Sequence, residues 1–196
     1  MVVDIYQTPL ADLQPEQARS ADFYVVSRFK FTVLYTSTLG LYGAYWFYRH
    51  WSHYKTRNRA RIWPIPRTIF SVFFAHSLFR LIYRKAVEAD QSRRWRPNWY
   101  ATIYVIADII WSFSEILTSF DVSVMTIIAI SLVSMIVIGR VFFEAQINAN
   151  IACADAAGKS NSRITFANYG WIFAGMLMWV LYAIVIMLEV GLVGIG

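Results

Sequence analysis

Asp108 and Glu115 stand inside a long apolar run, where an acidic side chain needs a reason to be. Seven positions apart, they share nearly one face of a helix, with Trp111 and Ser112 between them. An ionised group near mid-bilayer costs at least about 2.5–3.5 kcal/mol, so something must offset it. One possibility is a proton or cation relay along a polar path. The other is a protonated Asp108 that hydrogen-bonds within a helix bundle as structural glue. Counting back from a tight turn at Ser119–Asp121 sets Asp108 level with Ser131 on the next helix. Asp108, Glu115, Ser112 and Ser131 therefore form the candidate intramembrane polar site. Arg140 falls about nine residues deeper, roughly 13 Å at helical rise, and is a poor direct partner.

His76, Arg80 and Arg84 follow one another every four residues and make a basic ridge. Such a ridge could hold the phosphate of an anionic lipid headgroup or simply snorkel as a topology anchor. His50 and His53 share a helical face but have no Cys, Asp or Glu nearby to complete a tetrahedral set, so no metal is expected. The chain contains no Gly-x-Ser-x-Gly, no His-Glu-x-x-His and no phosphate-cradling glycine loop. These gaps lean against an enzyme and leave no catalytic residue or cofactor to assign. Asn148 and Asn150 are read as cross-links between helix ends, and Trp171, Trp179 and Tyr182 as packing and lipid contacts.

The elements that carry these residues follow from composition. Apolar residues make up 58% of the 196 and charged ones 15%, against about 45–50% and 25% in soluble domains. The lone Cys153 excludes an internal disulfide. Twelve Lys/Arg and only two acids lie between Arg49 and Arg96, while the remainder has six basic and ten acidic residues. A basic block between apolar runs points to the positive-inside bias rather than to nucleic acid. The reading is an all-α integral membrane protein with about four transmembrane helices plus one re-entrant or interfacial helix. Residues 1–28 form a polar tail, with a surface helix around Pro15–Arg19. Residues 29–196 form a single domain with spans at about 29–48, 100–118, 122–143 and 164–188. Pro64 and Pro66 precede the re-entrant or interfacial helix, at 67–84. Residues 144–157 continue the third span as a polar-faced helix that stops at Gly158. Both termini are then outside and residues 49–96 cytoplasmic. Thr36, Gly40 and Ala44 recur every four residues of the first span as a small-residue stripe for close helix packing.

Leu39–Tyr48 reads Leu-Gly-Leu-Tyr-Gly-Ala-Tyr-Trp-Phe-Tyr and is followed by Arg49 and Trp51. This resembles the opening signature of a family of small uncharacterised bacterial inner-membrane proteins, Gly-x-Tyr-x-x-Tyr-Trp-Phe-Tyr before a basic residue and a Trp. Looser likeness at Arg67–Phe79, Gln146–Asn150 and Phe166–Trp171 extends it over about two thirds of the chain. The resemblance implies a multi-pass fold in a bacterial cytoplasmic membrane and carries no catalytic residue. The function expected is that of a non-enzymatic accessory or assembly protein that docks on a larger complex or on itself. Its other partners are the lipid bilayer and anionic headgroups. The competing class is a small transporter or channel with Asp108 and Glu115 along its path.

Overall fold

A computed structural model describes residues 21–88, 94–116, 120, 122–189 and 191, with position 115 described for its backbone alone. The described residues are helical and include no strand. The tail helix expected at Pro15–Arg19, most of the Ser119–Asp121 turn and the last residues fall outside them. In chain order the helices are α1 (Arg28–Ser37), α2 (Tyr42–Asn58), α3 (Pro64–Ile69), α4 (Ser71–Glu88), α5 (Pro97–Ile116), α6 (Val124–Ala152) and α7 (Phe166–Glu189).

Two of them, α6 and α7, are long and apolar enough to cross a membrane. A soluble core helix can match that composition, but it would be mostly covered by protein. Here only 28% of the apolar window of α6 and 6% of that of α7 is buried. Phe173, Leu177, Val180, Leu181 and Val185 of α7 are exposed, as are Ile106, Ile109, Ile110 and Phe113 of α5. Apolar surface left bare over this length is matched to lipid rather than to water. The chain is a membrane protein.

The single helix expected over 29–48 is instead a helical hairpin. Thr36-Ser37-Thr38 carries hydroxyls that compete for backbone carbonyls, and Leu39 and Gly40 adopt φ of +50° and +86°. The Thr38 hydroxyl joins the two halves: it donates to Leu34 O at 2.7 Å and accepts from Tyr42 N at 3.0 Å. It thereby closes α1 and opens α2. Contacts along the two arms run antiparallel. Phe31 meets the Tyr42 ring at 5.9 Å, Tyr24 meets Tyr45 at 6.1 Å, and Phe23 stacks on Tyr54 at 5.9 Å. At the open end Asp22 pairs with Lys85 at 3.4 Å and accepts from Asn58 at 3.2 Å. Residue 22 therefore lies beside the basic segment, not across a membrane from it, which corrects the separation expected between 1–28 and 49–96. The stripe Thr36, Gly40, Ala44 shares no helical face either, because the helix breaks between its members.

The hairpin tip sits at Met135, whose carbonyl accepts from the Tyr35 hydroxyl at 3.0 Å. Met135 is eleven positions into α6, about 17 Å from its start. Glycines make room for the Tyr35 ring there: a Cβ on Gly139 would lie 2.5 Å from Tyr35 Cε1. Below that level the second half of α6 is the central post of the bundle, with every residue from Glu144 to Asn150 buried. Helix α4 lays Ala75, Leu78, Phe79, Ile82 and Ala86 into this core, the one-sided periodicity of an amphipathic helix. Helices α5 and α6 run side by side, and α7 packs mainly against α1 and more lightly against α6.

Candidate functional site

Three places bring polar side chains together inside the bundle. The first holds the N-terminal segment to α6. Gln146 and Asn150, one turn apart, face the extended backbone of Tyr24–Val26. Gln146 Nε2 donates to Tyr24 O at 3.0 Å and to Asn150 Oδ1 at 2.6 Å. Asn150 grips both polar groups of Val26, accepting from its N–H at 3.3 Å and donating to its carbonyl at 2.9 Å. Gln146 Oε1 in turn accepts from Trp46 Nε1 at 2.6 Å and pairs with His50 Nε2 at 3.3 Å. Because Gln146 Oε1 can only accept, His50 Nε2 carries the proton here. From the outside, Asn161 donates to Val25 O at 2.8 Å and to the Tyr24 hydroxyl at 3.0 Å, while Lys30 Nζ donates to Asn161 Oδ1 at 2.7 Å. Gly158, at φ +66°, makes this closure possible, since a Cβ there would lie 2.5 Å from Val26 O.

His50 lies in the second half of α2, towards its basic end, and is fully buried. Burial drives its pKa down to about 3, against the small opposing pull of the Gln146 bond. It is neutral and structural at any ordinary pH. His53 faces elsewhere, its Nε2 at 3.1 Å from Arg49 Nη2, so the two histidines do not converge. No group of three or more His, Cys, Asp or Glu among the described residues is placed to hold a metal. Burial also raises the Cys153 thiol to about 11, which leaves it a poor nucleophile.

The second place is a cavity of about 140 Å³ at the level of the hairpin tip. Asp108 lines it with Thr68, Ser71, Tyr104, Gly40 and Ile138. Tyr104 lies one turn before Asp108 on α5, and its hydroxyl lies 2.6 Å from Ser71 Oγ. Ser131 does not line this cavity. Ser131 is replaced at Asp108's side by Thr68 and Ser71, because α3 and α4, read as a re-entrant or interfacial element, reach to this depth. Ser112 is exposed, Ser131 half-buried, and the Glu115 side chain lies outside the described residues.

The third place is a cavity of about 720 Å³ between α4 and the start of α5, lined by Ser77, Arg80, Tyr83, Arg84, Trp95, Arg96 and Asn98 among others. Arg80 and Arg84 of the ridge are here. His76 is not: its Nε2 meets Thr102 Oγ1 at 3.1 Å and ties α4 to α5. Arg96 joins from the other side of the connection.

Comparison with protein-family models, with curated proteins and with solved structures finds no match. The reading of function therefore rests on these three places. Of their residues, Gln146, His50, Tyr104, Trp95 and Arg96 escaped the sequence reading as site members. Gln146 and Asn150 did carry a signal, since two amides one turn apart in a helix otherwise apolar on all sides must bond to something.

Proposed function

We propose that the chain is a multi-pass protein of a bacterial inner membrane that works by contact, as an accessory or assembly protein for a larger membrane complex. The observation that carries this reading is the destination of its buried polar side chains. Gln146, Asn150 and Asn161 all bond to the short stretch Tyr24–Val26, and Lys30 holds Asn161 in turn. They make a rigid scaffold and leave no nucleophile–base pair among the described residues. The outer faces of α5 and α7 supply the apolar surface for lipid or for a companion helix. In this reading α5, α6 and α7 cross the bilayer, and α1–α2 dips in from the cytoplasmic side and returns. The N-terminal segment and residues 49–96 then share the cytoplasmic face, opposite the end of α7.

Cysteines placed singly at Arg28, Asn58 and Glu189 in a Cys153→Ser background test that arrangement. An impermeant maleimide added to intact spheroplasts is expected to label only the Glu189 position. Labelling at the Arg28 position would remove the re-entrant hairpin.

The transporter reading is favoured by one observation, the Asp108 cavity with its Thr68, Ser71 and Tyr104 hydroxyls. Asp108→Asn separates the two classes, because amide and protonated acid are alike in shape while only the acid can release a proton. A contact protein should keep its melting temperature and its copurifying companions with Asn at this position. Asp108→Leu, which removes the carboxyl from among the cavity's hydroxyls, should cost about 1–3 kcal/mol of stability. A well-folded Asn variant that keeps its companions yet loses the growth phenotype of the native gene would sink the contact reading.

A further inference from the structure

We propose that the cavity between α4 and the start of α5 binds a phosphate group carried on a larger molecule. Three guanidinium-bearing chains, Arg80, Arg84 and Arg96, line one space. Like charges one helical turn apart, as at Arg80 and Arg84, repel unless an anion lies between them. None of the three is ion-paired with a described residue: Lys85, next along α4, takes both Asp22, at 3.4 Å, and Glu88, at 3.2 Å. Among the described residues, the one side-chain hydrogen bond of the trio runs from Arg80 Nε to the carbonyl of His76 at 3.3 Å.

One further observation points to an acceptor-rich ligand. Helix α5 starts at this cavity with Pro97, which has no N–H, so the Asn98 and Trp99 amides are the first-turn donors with no carbonyl of their own helix to meet, while Tyr100 N donates to Arg96 O at 3.1 Å. The positive end of a twenty-residue helix therefore adds to the arginine field. Trp95, 5% exposed, lines the same space. Guanidinium forks and helix amides are both hydrogen-bond donors, and a tetrahedral oxyanion satisfies them best. At about 720 Å³ the space exceeds a bare phosphate, so the group arrives on a glycerol, sugar or similar ester. Trp99, 63% exposed and next in the chain after the lining residue Asn98, suits an interfacial position. The inference does not depend on whether the protein acts by contact or by transport.

The shared chemistry has two sources, a lipid headgroup and a soluble phosphate ester, and the test separates them. Full-length protein is placed in phosphatidylcholine nanodiscs, and its unfolding temperature is followed as inorganic phosphate is titrated. In a second series phosphatidylglycerol replaces part of the phosphatidylcholine. One of the two probes is expected to raise the unfolding temperature: free phosphate if the ligand is soluble, phosphatidylglycerol alone if it is a headgroup. Arg84→Gln/Arg96→Gln, at exposed positions that no described acid holds, should unfold like wild type without ligand and lose roughly tenfold or more in apparent affinity. Arg59→Gln/Arg61→Gln removes the same charge elsewhere and should stay within about twofold of wild type. Equal losses in the two double variants would reduce the effect to surface charge and overturn the site. Absence of stabilisation by either probe would overturn it as well.

Discussion

Gly175→Leu is expected to strip α7 from the bundle. A Cβ at this position would fall on the carbonyl oxygen of Ser37, and backbone cannot swing aside as a flexible side chain can. The contact is backed by Trp179 Nε1, which donates to Thr36 O at 2.9 Å, and by the Tyr182 hydroxyl, which donates to Ile128 O at 3.2 Å. Separating the helices breaks all three at once, and the loss should reach about 3 kcal/mol or more. Gly170→Leu is the matched control, since nothing lies within 4 Å of a Cβ there. Melting in detergent should show a large drop for position 175 and little change for position 170. Equal melting temperatures for the two variants would mean that α7 does not depend on this crossing. Gly40→Leu should also destabilise, through its φ of +86° and the Tyr35 hydroxyl 3.3 Å from its would-be Cβ, but a side chain can yield there.

Gln146→Leu should cost as much by a different route. The substitution leaves Trp46 Nε1, His50 Nε2 and Tyr24 O buried without the partner that each now has. An abandoned buried donor or acceptor costs about 1–3 kcal/mol, and three in one network should sum to about 3–5 kcal/mol after partial relaxation. Acid strains the same point. His50 is neutral in the folded protein down to about pH 3, whereas in the unfolded chain it takes up a proton near pH 6.5. Between those values the unfolded state binds the extra proton, so stability is full above about pH 6.5 and falls as pH drops towards 3. From pH 6.5 to pH 5 the loss from this group is about 2 kcal/mol. Melting temperature measured across that range should slope downward into acid in the wild type. The slope should flatten in His50→Gln, which cannot titrate. An unchanged slope in that variant would place the acid sensitivity elsewhere.

How much of this was legible in the residues depended on whether local chemistry or distant contact decided the outcome. Helices at 97–116, 124–152 and 166–189 were readable because their apolar runs are long, but α5 begins at Pro97 rather than at 100, and α6 ends at the cap Cys153 rather than at Gly158. The basic ridge was readable because Arg80 and Arg84 are one turn apart. The hairpin at Thr38–Leu41 was missed although its signals were local. Three hydroxyl residues followed by a glycine mark a helix end, but a continuous twenty-residue apolar count outweighed them. The Asp108 partner was misplaced because depth was counted along α5 and α6 alone. Ser71 reaches the same level only through the folding-back of α3 and α4, which no spacing in the chain records. Residues 144–150 read as a polar-faced continuation of the third span, and they are the most enclosed part of the bundle. Polarity marked them correctly as special, while their burial was decided by segments more than a hundred positions away.

That distance has a consequence for how the protein is made. Tyr24 is held by Gln146, Val26 by Asn150 and Lys30 by Asn161, separations of 122, 124 and 131 residues. The first described segment leaves the ribosome long before any of these partners exists. Until the end of α6 and the turn after it emerge, the backbone of Tyr24–Val26 has no internal acceptors or donors to close upon. Synthesis of α6 and of the turn after it must therefore precede the seating of Tyr24–Val26, which closes late.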